Sequence, residues 1–141
     1  MNIIDLLIDI LYSFVGAVSL VMAYKSMFSK SFIPFHEHAA AIAWNEVNKQ
    51  LQYVILAIMK VSGLGFLMIA ILLLLFPLVT YFDGNPIIRF AIPLLAFLFC
   101  GGLFIINYRL YKQTKAKTPW KGSLIAMLAI MLGILVTIKS L

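Results

Sequence analysis

Charge is scarce in this chain. Only 11% of its 141 residues are Asp, Glu, Lys or Arg, whereas water-soluble domains carry about 25%. A soluble fold of this size has too little polar surface to cover an apolar fraction of 64%. Lipid is the solvent that resolves the conflict, and the mean hydropathy of +1.07 points the same way. Cysteine occurs once, at Cys100, which excludes an intramolecular disulfide and a multi-cysteine metal site. Lying beside Gly101 and Gly102 in an apolar run, it reads as a small packing residue. The sequence contains no phosphate loop, GxSxG, zinc-protease signature or histidine placed mid-span to ligate haem, so no cofactor or metal is expected. The net charge of +6 does not indicate a nucleic-acid partner, because that requires a basic face on a water-exposed domain. Met1 to Asp9 has no Lys or Arg, unlike the positive start of a signal peptide, and is expected to open a mature first helix.

What is present is long apolar runs. Four spans are expected in one transmembrane domain over residues 1–141, at about 3–28, 53–82, 87–108 and 120–138. The second is the most strongly marked: Val61 to Phe82 is 22 residues without a charge. In the first, the charge-free stretch from Ile10 to Tyr24 is 15 residues. At 1.5 Å per residue it covers roughly 22 Å of a hydrocarbon core about 30 Å thick. Extension past Lys25, whose stem can snorkel, is cheaper than drawing Asp9 inward. Between spans 1 and 2, Pro34 is placed to start a helix, and the alanines from Ala39 to Ala43 predict that it runs from His36 to Gln52. Asn85-Pro86 and Thr118-Pro119 each read as an N-cap followed by proline at the first helical position. The fold class is therefore an all-α integral membrane four-helix bundle with an extra cytoplasmic-side interfacial helix.

Basic residues set the orientation. Lys25, Lys30, Lys49, Lys60, Arg109, Lys112, Lys115, Lys117 and Lys121 fall on the side of loops 1 and 3, while only Arg89 and Lys139 fall on the other. Under the positive-inside rule, loops 1 and 3 are cytoplasmic and both termini lie across the membrane. Tyr24, Trp44, Tyr108, Tyr111 and Trp120 suit the cytoplasmic interface, and Tyr81 and Phe82 the opposite one.

Three groups are candidates for a functional role. Asp5 and Asp9 share one face of helix 1. They form either an intramembrane cation or proton site or an interfacial pair at the positive end of the helix dipole, with Arg89 as the available ion-pair partner. Asn45, Lys49, Gln52 and Lys60 approximate one helical stripe flanked by Glu46 and Asn48. They line a polar cytoplasmic-side cavity, or they form the wet face of an interfacial helix with Lys60 snorkelling to headgroups. His36, Glu37 and His38 superficially resemble a metal trio, yet histidines two apart splay by about 200° on a helix, so solvated residues at a helix start account for them better. The loop from Arg109 to Lys121 is expected to attract anionic headgroups, at about 1 kcal/mol for each nearby Lys or Arg. Small residues are expected to mark sites of helix contact: Ser13 with Ala17, Ser19 with Ala23, Gly63 with Gly65, Gly101 with Gly102, and Ala129 with Gly133.

Pro34-Phe-His36, the stretch from Trp44 to Gln52, the run from Ile55 to Phe66 and Thr118-Pro-Trp120 together resemble a group of small uncharacterised four-span bacterial integral membrane proteins. That resemblance implies the bundle and a bacterial inner membrane, in which the charge bias makes the termini periplasmic, and carries no functional residues. In length and hydropathy the chain is also similar to membrane-associated eicosanoid and glutathione metabolism proteins, but it departs from their Arg- and Glu-bearing second helix. Three functional classes are open: a non-catalytic membrane component acting through packing with itself or a larger complex, a small transporter or channel, and an embedded enzyme acting on a lipophilic substrate.

Overall fold

The computed structural model describes residues 3–83 and 85–139. Among these residues every regular element is helical. The elements are α1 (Ile3–Met27), α2 (Pro34–Ala40), a 3-10 turn (Trp44–Glu46), α3 (Lys49–Asp83), α4 (Pro86–Thr114) and α5 (Trp120–Lys139). Helices α1, α3, α4 and α5 are each long and apolar enough to cross a membrane. They pack in a ring, α1 on α3, α3 on α4, α4 on α5 and α5 back on α1. One end of the bundle gathers the start of α1 and the end of α5, here the terminal end. The loop end is opposite.

Each long helix buries residues at helical spacing. On α1 these are Ile8, Tyr12, Val15, Gly16, Ser19, Ala23 and Ser26. On α4 they are Pro93, Ala96 and Cys100. Ile69, Leu73 and Phe76 of α3 and Ile130 of α5 complete the core, in which Tyr12 meets Phe76 edge-on at 4.8 Å. The opposite faces carry exposed Leu, Ile, Val and Phe along all four helices.

Backbone approach is closest between α1 and α3. A Cβ at Gly63 would stand 2.5 Å from the Met27 side chain, 3.0 Å from the Met27 nitrogen and 3.2 Å from the Ala23 carbonyl oxygen. Ser19 and Ala23, one turn apart, both lie in this seam. On α5, Gly133 lies under the Tyr12 ring, where a Cβ would meet Cε1 at 2.5 Å. Ser19 with Ala23 thus admits the α3 backbone at Gly63, as small-xxx-small spacing anticipates, whereas Ala17 is exposed and a Cβ at Gly102 would meet nothing.

The structure departs from the sequence expectation in loop 1. No continuous helix joins His36 to Gln52. Helix α2 stops at Ala40, and Ala41 adopts the left-handed conformation at φ 51°. The cause is tertiary. Trp44 packs on Phe32 at 4.9 Å, Val47 is buried, and the Gln52 amide donates to the carbonyls of Trp44 at 2.8 Å and Val47 at 3.0 Å. These contacts fold the chain back against α3 and outweigh a few tenths of a kcal/mol per residue of alanine propensity. Helix α3 then restarts at Lys49, with Asn48 Oδ1 accepting from the Leu51 N–H at 2.8 Å.

The expected cap at Asn85 is present: its side chain accepts from the Ile87 N–H at 2.9 Å, with Pro86 in the first turn. Thr118 does something different. Its hydroxyl donates to the Asn107 carbonyl at 2.8 Å, tying the last connection to α4 rather than capping α5.

Candidate functional site

Two concavities lie at opposite ends of the bundle. At the terminal end, α1, α3, α4 and α5 enclose a cleft of about 390 Å³. Asp5 and Asp9 enter it from the first turns of α1, one above the other, and Arg89 enters from the first turn of α4. All three are half-buried. Asp9 lies within the field of both Asp5 and Arg89, yet among the described residues no ion pair closes between them. The Arg89 Nε is buried with no hydrogen-bond partner. Ile8, Phe76 and Leu78 supply apolar walls.

Hydroxyls line the same cleft but are engaged within their own helices. Thr80 donates to the carbonyls of Phe76 at 3.0 Å and Pro77 at 3.1 Å. These are the bonds a helical threonine hydroxyl makes to the carbonyls four and three residues back. Thr137 donates to the Gly133 carbonyl at 2.9 Å and lies beside the Tyr12 hydroxyl.

At the loop end, a groove of about 350 Å³ runs between α2 and the start of α3, lined by Phe32, His36, Ala39, Ile55, Met59 and Leu110. The His36 ring meets that of Phe35 at 4.0 Å, tilted by 58°, and its partial burial lowers its pKa below the usual value of 6.5. Glu37 and His38 point outward and are exposed. Among the described residues no three His, Cys, Asp or Glu side chains converge to hold a metal.

The polar stripe named from the sequence lies outside this groove. Asn45, Lys49 and Lys60 are exposed, whereas Gln52 is half-buried and committed to its two loop carbonyls. Gln52 therefore holds the loop 1 fold, and the break at Ala41 places Asn45 on a separate element from Lys49.

Beside the groove, α4 and α5 share an aromatic group. Trp120 contacts Tyr108 at 5.6 Å and Tyr111 at 6.0 Å. Lys112 lies over the Tyr108 ring at 5.1 Å and Lys121 over Trp120 at 5.7 Å. Such contacts hold the ammonium groups against the rings at the level of Trp120.

Several contributors escaped sequence reasoning. Thr80 and Thr137 enter the cleft only because α3 and α5 end there, and Asn107 was invisible because its carbonyl, not its side chain, receives Thr118.

No family model, curated protein or solved structure matches the chain.

Proposed function

We propose that this chain is a four-span protein of the bacterial inner membrane that works as a non-catalytic component, packing with a second copy or within a larger complex. The observation that carries this reading is how the interior is used. Thr80, Thr114 and Thr137 each donate to a carbonyl of their own helix, while Gly16, Gly63 and Gly133 take direct contact from neighbouring helices. Hydroxyls satisfied in this way leave close packing as the chief business of the spans.

The exposed apolar faces support placement in lipid, since no water-soluble surface of this size is so uniformly apolar. The nine basic residues toward the loop end, against two at the other, support cytoplasmic loops 1 and 3 and periplasmic termini. Helix α2 lies along the cytoplasmic interface, and the Lys112 and Lys121 ammonium groups contact anionic headgroups there.

Extraction in mild detergent tests the reading. The expected product has a defined oligomeric mass or carries stable partners, and Asp9→Asn and Lys60→Ala leave that assembly unchanged. A partner-free monomer overturns it, as does solute flux in liposomes that either substitution abolishes.

A further inference from the structure

We propose that the cleft at the terminal end binds a zwitterionic group, an ammonium held by Asp5 and Asp9 together with a phosphate or carboxylate held by Arg89. The argument starts from what is left unpaired. A buried guanidinium nitrogen without a partner is costly, because the desolvation of the charged group goes uncompensated. Arg89 Nε is such an atom. A guanidinium fork matches the oxygens of phosphate or carboxylate, two at a time. Among the described residues the carboxylates of the cleft are on α1, and none closes onto Arg89. An incoming oxyanion does what they do not.

The carboxylates set the other half of the ligand. Asp5 and Asp9 stack on one face of α1 and open into the same space, so two negative charges sit together and favour a cation between them. A purely anionic ligand meets both aspartates. A purely cationic one meets Arg89. A molecule carrying both charges a few bonds apart satisfies both walls and leaves no like charges in contact. The volume of about 390 Å³ falls in the lower part of the range for small-molecule sites, ~300–1,000 Å³. Phe76 and Leu78 on the α3 wall suit a hydrocarbon stem attached to the charged group.

Two sources share this chemistry, a phosphatidylethanolamine headgroup and a free water-soluble zwitterion such as phosphoethanolamine. The detergent-purified protein is titrated with short-chain phosphatidylethanolamine, short-chain phosphatidylglycerol and free phosphoethanolamine, with bound molecules counted by native mass spectrometry. Phosphatidylethanolamine is expected to bind more tightly than phosphatidylglycerol, which lacks the ammonium. Asp9→Asn and Arg89→Gln are each expected to weaken it about tenfold, the effect of losing one charge-assisted bond. Arg89→Lys, which keeps the charge and loses the fork, falls between Arg89→Gln and the wild type. Binding of free phosphoethanolamine with the same dependence assigns a soluble occupant, and binding of the lipid alone assigns a headgroup.

Equal binding of the two lipids, binding unmoved by both substitutions, or no zwitterion bound at all overturns the proposal. Circular dichroism checks each variant's helix content, and Asp5→Asn takes the place of Asp9→Asn if the latter does not fold. Only the lipid arm rests on the membrane reading, and the titration does not depend on oligomeric mass, so the two proposals fail separately.

Discussion

At the scale of single residues, the close contacts decide what can be changed. Gly133 carries the Tyr12 ring where any other residue has a Cβ, 2.5 Å from Cε1. Tyr12 is fully buried and wedged against Phe76, so it has little room to yield. Gly133→Ala is expected to cost about 1–3 kcal/mol, the usual penalty of overpacking, read as a lower unfolding temperature in detergent. Combining it with Tyr12→Leu should cost less than the sum of the two single changes, because the clash then has no second party. Gly102 is the control: a Cβ there meets nothing within 4 Å. Gly102→Ala should be neutral or stabilise by up to about 1 kcal/mol through helix propensity.

His36 makes a different prediction. Its folded pKa lies below its usual 6.5 because burial disfavours the imidazolium. The unfolded segment therefore binds the proton more readily, and stability rises with pH wherever that is so. The contribution is complete above the ordinary histidine range and is lost as pH falls through it. Protease protection of the α2 segment should decline on acidification from neutral pH, and His36→Leu should flatten that decline. A steeper slope in the variant contradicts the assignment.

At the scale of elements, the four long helices were legible because apolar runs and proline punctuation act locally. Asn85-Pro86 names a helix start by itself, since the side chain has only to reach an amide two residues on. Asn85→Ala should cost about 1 kcal/mol, as loss of a helix N-cap does, measurable by thermal unfolding. Loop 1 was not legible for the converse reason. Whether Ala39 to Ala43 stays helical depends on Phe32, Trp44 and Gln52 meeting, and no window of local sequence contains all three. Thr118 misled in the same way: its pattern is that of a cap, but the acceptor that wins is the Asn107 carbonyl, 11 residues back. The candidate acids were readable one helix at a time. Arg89 was readable as their neighbour from its place at the start of the third span on the same side, but the entry of Thr80 and Thr137 was not, because it requires four helix ends to coincide.

At the scale of the whole molecule, the basic asymmetry gives the test of orientation. Lys115→Cys, in the last connection, should react with a membrane-impermeant maleimide only after the cytoplasmic face is opened, whereas Asn85→Cys should react in intact spheroplasts. The native Cys100 is buried and should stay silent in both. Reversed labelling leaves the bundle standing and overturns its assigned direction.

The four helices are also unequal in length, 35 residues in α3 against 20 in α5. At 1.5 Å per residue these measure roughly 52 and 30 Å, so α5 matches a hydrocarbon core about 30 Å thick, whereas α3 is longer by about four turns. With the C-terminal part of α3 level with α5, the surplus emerges on one face alone, roughly 20 Å of it, beginning near Lys60. The protein therefore carries a raised collar on the side of its basic loops and is nearly flush on the other. Any soluble factor that approaches from the side of the basic loops meets the collar first.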